Sequence, residues 1–350
     1  MRHLRRHYRL FIKVNLFYAS FIPGLQIIIA AVIKERLPDV KIHKLLDGAV
    51  LFETETSYDK LNFLCFNNIF HVIDILEQSD KNAAIETHIK SVIRNTSLFT
   101  DIIKNNNKSF KSFRIIISNE NVPAAIDEKI RQEAENFISR LSKLNVNRSR
   151  PDTEFWFLSR SEGFSIFMKR LTLHSSWEKT LHKGELPPPL AWAMCRLARP
   201  IHSETVLDPF CGYGSIIEAA LKYFHIAKIF ACDNDKNASN YTASRFKNRK
   251  KEDFFHYQTD FKELPSLIGE NNIDVIVTDP PWGHYKEIDN NSFYRNMFEV
   301  FGKLLKKGGR AVVLCANDAL LKAVPASFTL QESTPILLSG KKTVIYEFTC

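Results

Sequence analysis

The chain has 350 residues, of which 45% are hydrophobic and 25% charged, with 12 glycines and 14 prolines. This balance is typical of a packed globular protein of two or three domains, and it excludes collagen, a fibrous repeat and extensive disorder. The net charge of +9 is uneven, since residues 1–200 hold 30 basic and 21 acidic residues and residues 201–350 hold 18 of each. A basic front half indicates that a polyanionic partner is held there.

The six cysteines are scattered, and none forms a C-x-x-C pair or a zinc-type cluster with histidine. We therefore expect a reducing, cytoplasmic environment and no metal site. Near the N-terminus, arginines precede an apolar stretch over residues 17–33 that is similar to a membrane anchor. Pro23-Gly24 interrupts this stretch, so we favour no membrane segment but a strand at about 10–18, a turn, and a buried helix at about 24–37. A membrane-anchored protein is the alternative.

Strand and helix patterns alternate through residue 172, which predicts an α+β region. A hairpin is expected to turn at Asp47-Gly48 and a second one at Glu162-Gly163. Ile115–Ile117 reads as a short buried strand, and Ala124–Leu144 as a helix with charges on its outer face. Three consecutive prolines in Lys183–Pro189 predict a rigid linker.

From Thr205 onward, apolar segments alternate regularly with helical patterns, which is typical of a doubly wound parallel sheet. The first five of these segments lie at about 204–208, 228–232, 254–258, 273–278 and 310–315. Two further strands, near 327–334 and 342–349, would form a hairpin at the end of the chain. We therefore predict a seven-stranded α/β domain in the back half.

The first motif, V-L-D-P-F-C-G-Y-G-S, occupies residues 206–215, where a strand meets a turn and then a helix. Gly212 and Gly214 would let a ligand approach the backbone closely, near the free N–H groups of the helix. Asp208 ends the strand, and a carboxylate there repels pyrophosphate but suits an ammonium group. The motif thus disfavours NAD and favours an amino-acid-like cofactor.

Acidic residues follow the next two predicted strands as well. Asp233, with Asn234 beside it, is placed to accept hydrogen bonds from ribose hydroxyls. Asp235 is suited to cap the following helix, and the alternative is that both aspartates serve only as caps. After the third strand, Asp260 could accept a hydrogen bond from an adenine amine, and Phe261 could stack on a ring.

The sequence V-T-D-P-P-W-G follows the fourth predicted strand directly. Two prolines, Pro280 and Pro281, cannot continue a sheet and would hold an extended, rigid loop. Such a loop would fix the Asp279 carboxylate and the Pro280 carbonyl as two acceptors, and Trp282 would add a flat face. Two acceptors beside a stacking face suit the exocyclic amine of a nucleobase. The alternative is a loop that is merely stiffened by its prolines.

Together, D-P-F-C-G-x-G and D-P-P-W 71 residues later resemble the class I S-adenosylmethionine-dependent methyltransferases that act on nucleic-acid amines. The segment F-S-I-F-M-K-R-L (164–171) and the K-G-E-L of residues 183–186 are similar to those of the THUMP-containing RNA (guanine-N2) methyltransferases. This resemblance implies four regions along the chain. They are a ferredoxin-like domain at 1–68, a THUMP RNA-binding domain at 69–172, a linker at 173–189 and a Rossmann-like methyltransferase domain at 190–350.

The resemblance also implies the site and the reaction. S-adenosylmethionine would be bound by Asp208, Pro209, Phe210, Cys211, Gly212, Gly214, Asp233, Asn234, Asp260 and Phe261. The catalytic loop would consist of Asp279, Pro280, Pro281 and Trp282. The implied substrate is the N2 amine of a guanosine in RNA, with tRNA and its acceptor stem favoured, and the enzyme is expected to act as a monomer.

Three alternatives stay open at this stage. Trp282 stands where tyrosine or phenylalanine is common in the family, which leaves adenine-N6 methylation possible. Ribosomal RNA could replace tRNA as the substrate. A protein of another class, an RNA-binding protein without catalytic activity, is disfavoured by the presence of all four motif aspartates.

The basic front half supplies the predicted RNA contacts, through shape and phosphate charge rather than base identity. The candidates are Lys104, Lys108, Lys111, Arg114, Arg148, Arg150, Lys169 and Arg170. The cluster R-F-K-N-R-K-K at residues 245–251 is a second candidate, with a solvated helix face as its alternative.

Overall fold

The computed structural model describes residues 15–57, 61, 63–77, 84–95, 109–120, 122–172, 181–250, 253–282, 290–316, 318–338 and 340–350. The chain divides into two compact units, the first within residues 1–174 and the second mainly residues 175–350. Two short N-terminal segments, Phe21–Ile29 and Phe63–Asn67, are grouped with the second unit.

Within the described residues, the first unit contains one mixed sheet and three helices. The strands are β1 (Asn15–Ser20), β2 (Lys41–Leu46), β3 (Ala49–Thr54), β4 (Asn68–Glu77), β5 (Ser112–Asn119), β6 (Val122–Pro123), β7 (Asn145–Val146), β8 (Thr153–Arg160) and β9 (Phe164–Arg170). They are ordered β2-β3-β1-β4-β9-β8-β5-β6, and β7 also pairs with β5. The helices, counted with the one that begins in the segment grouped with the second unit, are α1 (Gln26–Arg36), α2 (Ala84–Arg94) and α3 (Glu128–Ser142).

The local predictions for this unit are largely confirmed. Both hairpins are present, with turns at Asp47-Gly48 and Glu162-Gly163. Helix α3 is shorter at both ends than Ala124–Leu144. It begins after Asp127, whose side chain accepts a hydrogen bond from the backbone of residue 129, and it ends where Lys143 adopts a left-handed backbone with φ of 63°.

The second unit contains a seven-stranded sheet in the described part of the chain. Its strands are β10 (Thr205–Asp208), β11 (Lys228–Cys232), β12 (Phe254–Tyr257), β13 (Ile273–Thr278), β14 (Leu305–Cys315), β15 (Thr329–Leu338) and β16 (Lys341–Thr349). The order is β12-β11-β10-β13-β14-β16-β15, and only the pairs made by β16 are antiparallel. This is the predicted doubly wound sheet with a hairpin at its end.

The helices of the second unit alternate with most of these strands along the chain. They are α4 (Pro188–Ala198), α5 (Ser215–Tyr223), α6 (Lys236–Arg245), α7 (Leu264–Ile268), α8 (Asn290–Leu304) and α9 (Ala319–Lys322). The prediction of a rigid proline linker is wrong for Pro188 and Pro189, which form the first turn of α4. Proline is tolerated there because the first N–H groups of a helix have no partner within the helix.

Among the described helices, none combines the length and the apolar character needed to cross a membrane. The apolar residues at 17–33 instead contribute β1, a turn and α1. Phe17, Phe21 and Ile33 from this stretch are buried.

Candidate active site

The candidate site lies where four adjacent parallel strands end. In sheet order these strands are β12, β11, β10 and β13. Asp260, Asp233, Asp208 and Asp279 follow them or end them in the same order. Ligands of open α/β sheets bind outside the carboxyl ends of the strands, so these aspartates occupy the expected edge.

Asp208 is 1% exposed and connects two strands. Its Oδ1 accepts a hydrogen bond of 2.7 Å from Thr278 Oγ1, at the end of β13, and one of 3.2 Å from the backbone N–H of Phe210. Pro209 is buried, whereas Phe210 is half-buried and lies 5.0 Å from Phe261, ring centre to ring centre. The hydrogen bond from Thr278 holds the Asp208 carboxylate in place, and no local motif indicates this contact.

Asp233 contacts the glycine turn, which we define as residues 211–214. Its Oδ2 accepts a hydrogen bond of 2.7 Å from Gly212 N, and its Oδ1 one of 2.8 Å from Asp235 N. Asp235 caps α6 by accepting from two backbone N–H groups, as predicted. Asp233 does not cap α6, so the alternative that both aspartates serve only as caps is wrong.

Three further predicted residues differ in exposure. Asn234 and Asp260 are exposed, and Asp260 accepts a hydrogen bond of 2.9 Å from Lys262 N at the start of a 3-10 turn. Phe261 is only 6% exposed and packs in the core against Phe210 and Phe293. An open stacking face on Phe261 is therefore not present in this conformation.

The segment Asp279–Trp282 follows β13, as predicted. Oδ1 of Asp279 is buried and has no hydrogen-bond partner among the described residues. Pro280 is buried, Pro281 is exposed, and the Trp282 indole donates a hydrogen bond of 3.2 Å to the carbonyl of Leu314 in β14. A tryptophan anchored to the neighbouring strand limits the movement of this loop.

The pKa values of three clustered carboxyls are raised. Burial raises the pKa of Asp208 to about 7, and the nearby charge of Asp233 adds to the effect. Burial and the charge of Asp208 raise the pKa of Asp279 to about 8, and burial also raises the pKa of Asp233. Buried carboxyls that repel one another favour a cationic ligand, which would stabilise their ionised forms. Groups of three His, Cys, Asp or Glu side chains able to hold a metal ion do not occur in the described residues.

Tyr294 lies behind the Asp279–Trp282 loop, and sequence reasoning missed it. This residue of α8 is fully buried, and its hydroxyl donates a hydrogen bond of 3.4 Å to the Pro281 carbonyl and lies 3.3 Å from Cys315 Sγ. Burial raises its pKa, so the phenol stays protonated as a donor. The contact depends on how α8 packs under the loop, which no local motif reports.

We expect Tyr294→Phe to lower kcat by about 3- to 10-fold, because one net hydrogen bond of about 0.5–1.5 kcal/mol that supports the loop is lost. The measurement is steady-state methylation together with thermal unfolding. Tyr346→Phe is the matched control, since Tyr346 is also buried beside Cys315. Equal kcat values for wild type and Tyr294→Phe would contradict a supporting role for this hydroxyl.

Several predicted RNA contacts are engaged within the first unit. Arg114 and Arg170 form ion pairs with Glu154, and Lys169 and Arg170 are 6% and 9% exposed. The prediction that Lys169 and Arg170 contact phosphate is therefore wrong. Both residues belong to β9, which lies in the middle of the sheet and is buried. The other described candidates are at the surface, although Arg148 is paired with two glutamates. Lys104 and Lys108 lie outside the described residues.

The strand order, the glycine turn and the row of aspartates define a class I S-adenosylmethionine-dependent methyltransferase. Residues 176–336 match the family model described as UPF0020: RMKL-like, methyltransferase domain. A relative named as a probable tRNA (guanine(10)-N2)-dimethyltransferase of Methanothermococcus thermolithotrophicus is 30% identical over 129 residues, 35% of this chain and 76% of that protein. Together with the family match, this relative shows that the chain belongs to the THUMP-containing class I RNA (guanine-N2) methyltransferase family.

Among the relatives, a tRNA (guanine(10)-N2)-dimethyltransferase of Methanocaldococcus jannaschii is 39% identical over 111 residues, 30% of this chain and 31% of that protein. A tRNA (guanine(6)-N2)-methyltransferase of Thermus thermophilus is 26% identical over 245 residues, 65% of this chain and 70% of that protein. The crystal structure of TrmN from Thermus thermophilus matches with a TM-score of 0.78 at 20% identity, over 96% of this chain and 99% of that one. The chain thus spans less than a third of the archaeal relative.

Proposed function

We propose that this protein transfers a methyl group from S-adenosylmethionine to the N2 amine of a guanosine in RNA, with tRNA as the favoured substrate. The observation that carries the proposal is the buried, unpartnered Oδ1 of Asp279 beside the fixed carboxylate of Asp208. An acceptor left unsatisfied in a folded protein costs free energy unless a ligand provides the donor. An exocyclic amine is such a donor. We further propose that the protein acts as a monomer in the cytoplasm, with the first unit contributing to RNA binding.

The residues of the site fit the cofactor. Asp208 and Asp233 would hold its cationic and ribose portions, and the backbone of the glycine turn leaves room beside Gly212, where an added Cβ would meet no atom within 4 Å. When bound, S-adenosylmethionine supplies a methyl group activated by a positively charged sulfur. The same positive charge would offset the burial and the mutual repulsion that together raise the pKa values of Asp208 and Asp279.

The chain's own contribution to the reaction is to orient the amine and receive its proton. The amine of guanine is a weak nucleophile because its lone pair is delocalised into the ring. Hydrogen bonds to Asp279 and to the Pro280 carbonyl would hold the nitrogen in a pyramidal geometry, so that the lone pair becomes available. Positioning of this kind can supply effective molarities of about 10⁵ M or more. Asp279 then accepts the proton that the methylated amine loses.

The base must leave its stack to reach a buried carboxylate. Trp282 would receive it, with stacking of about 1–3 kcal/mol. Because its indole is tied to Leu314, this face would be in place before the base arrives. Stacking on Trp282 would thereby offset part of the free energy needed to unstack the target base from the RNA.

The decisive experiment uses matched RNA hairpins that carry a single guanosine or adenosine at the target position. The expected product is N2-methylguanosine, identified by mass spectrometry of nucleosides after digestion. N6-methyladenosine as the only product would overturn the proposal in favour of the adenine alternative. Digests of tRNA and rRNA from cells that lack the protein would identify the natural substrate.

We expect kcat/KM for RNA methylation to rise as the pH increases from about 6 through 8 and to level off above about pH 9. The ionised Asp279 is the form that accepts hydrogen bonds, and its pKa is about 8 in the free protein. The pH dependence of kcat/KM reports ionisations of the free enzyme. A pH series at fixed ionic strength measures the profile. A constant kcat/KM between pH 6 and 9 would contradict this role of Asp279.

A further inference from the structure

We propose that Arg245 is a positioning residue for the cofactor-binding glycine turn, an inference that rests on the proposed function. Arg245 ends helix α6, and the sequence placed it in a basic cluster that could contact RNA. In the structure, its guanidinium instead binds other residues of the second unit.

The guanidinium of Arg245 connects three other segments. Nη1 donates a hydrogen bond of 2.8 Å to the carbonyl of Tyr213, inside the glycine turn. The same atom lies 3.2 Å from Oε1 of Glu185, and Nη2 forms an ion pair with Glu218 of α5. A planar fork that binds two carboxylates and a carbonyl holds these segments in a defined geometry.

Glu185 extends this contact to the other end of the turn. Its side chain is only 7% exposed, and its Oε1 accepts a hydrogen bond of 3.3 Å from Ser215 Oγ, at the first residue of α5. Its Oε2 accepts one of 3.0 Å from the backbone N–H of His182. The pair formed by Glu185 and Arg245 therefore fixes both the turn and the start of the helix that follows.

Helix α6 makes a second contact with the turn one helical turn earlier. Thr242 Oγ1 donates a hydrogen bond of 2.8 Å to the carbonyl of Gly212. Packing is close here, since a Cβ on Gly214 would lie 2.9 Å from the ring of Phe246 and 3.1 Å from Thr242 Oγ1. Two successive carbonyls of the turn are thus held by α6.

This arrangement determines where the turn presents its donors. In a trans peptide, the N–H of a residue points opposite to the carbonyl of the residue before it. Because α6 binds the Gly212 carbonyl, the N–H of Tyr213 points away from α6. The N–H of Gly214, opposite to the Tyr213 carbonyl that Arg245 binds, donates a hydrogen bond of 2.8 Å to the Cys211 carbonyl and closes the turn. Gly212 N is bound by Asp233. Loss of the Arg245 fork would free the turn to rotate and would weaken cofactor binding, whereas RNA binding would be retained.

The test compares Arg245→Met with Arg310→Met by calorimetric binding of S-adenosylhomocysteine. Arg310 is a matched control, because it binds Glu204 through both terminal nitrogens and also two backbone carbonyls, but at the amino end of the sheet. Both variants are expected to lower Tm. Only Arg245→Met is expected to raise the Kd, by about tenfold, which corresponds to about 1.4 kcal/mol. KM for RNA should change less than twofold.

Two milder variants keep the inference testable if Arg245→Met does not fold. Thr242→Val removes one hydroxyl with little change in side-chain shape. It should raise the Kd about threefold, with a smaller fall in Tm than Arg245→Met. Arg245→Lys should fall between wild type and Arg245→Met. A Kd within twofold of wild type in these variants, or an equal loss in Arg310→Met, would overturn the inference while leaving the methyltransferase proposal intact. Failure of the wild-type protein to bind S-adenosylhomocysteine would overturn both.

Discussion

Replacing Asp279 with asparagine is expected to lower kcat by about 10²- to 10⁴-fold, the range for loss of a group that accepts a proton during the reaction. The amide keeps the shape of the side chain, so the loop from Asp279 to Trp282 should keep its conformation. An amide oxygen can accept one hydrogen bond but cannot take the proton. The measurement is single-turnover methylation of a target RNA, which separates chemistry from binding.

Asp274→Asn is the matched control for this variant, because Asp274 lies on the same strand and is paired with Lys306 at the opposite end. The control should methylate at the wild-type rate. The Kd of Asp279→Asn for S-adenosylhomocysteine should stay within about threefold of the wild-type value. This corresponds to a difference in binding free energy of less than about 1 kcal/mol. Retention of even a tenth of the wild-type rate would remove Asp279 from the proposed mechanism.

The same substitution is expected to stabilise the protein at alkaline pH. The pKa of Asp279 is 3.8 in the unfolded chain and about 8 in the folded one, so the folded state binds the proton more tightly between these values. Stability therefore falls as the pH rises from about 4 to 8, and asparagine removes this loss. Near pH 8.5 the free energy of unfolding should increase by about 1–2 kcal/mol, because the cost of burying the asparagine amide without a partner offsets most of the gain. Urea unfolding measures this change. Active sites commonly sacrifice stability for function in this way.

The positions of the motif aspartates could be predicted from the sequence, because parallel strands place their carboxyl ends at one edge. Asp208, Asp233 and Asp279 each lie directly at or after an apolar segment, so finding the strands was sufficient to place them. The contacts that hold them could not be predicted. The bond from Thr278 to Asp208 joins residues 70 positions apart, and it depends on the pairing of two strands.

The prediction of RNA contacts failed at Lys169 and Arg170 for a related reason. A charged side chain is usually exposed, yet all residues of β9 are buried, since this strand lies between β4 and β8. A strand covered on both faces hides alternate residues on either side. Arg245 is a second example, because its partners Glu185, Tyr213 and Glu218 lie 27 to 60 residues away from it in the sequence.

Replacing Glu154 with alanine is expected to lower the free energy of unfolding by about 3–5 kcal/mol, the cost of leaving a buried partner charge unpaired. Its carboxylate binds Arg114, Arg170 and the Trp156 indole, at 2.8 to 2.9 Å for the last two, and only 7% of its side chain is exposed.

Burial alone would raise the pKa of Glu154, but the hydrogen bond from Trp156 and the charge of Arg170 outweigh it and lower the pKa. The stabilisation is therefore present at neutral pH and is lost as the pH falls through the lowered pKa. Urea unfolding at pH 7 and at pH 4 should show a smaller difference between wild type and variant at pH 4. Glu162→Ala, which removes a more exposed partner of Arg160, should cost less than about 1 kcal/mol; an equal effect of both substitutions would show that burial does not set the strength of the Glu154 contacts.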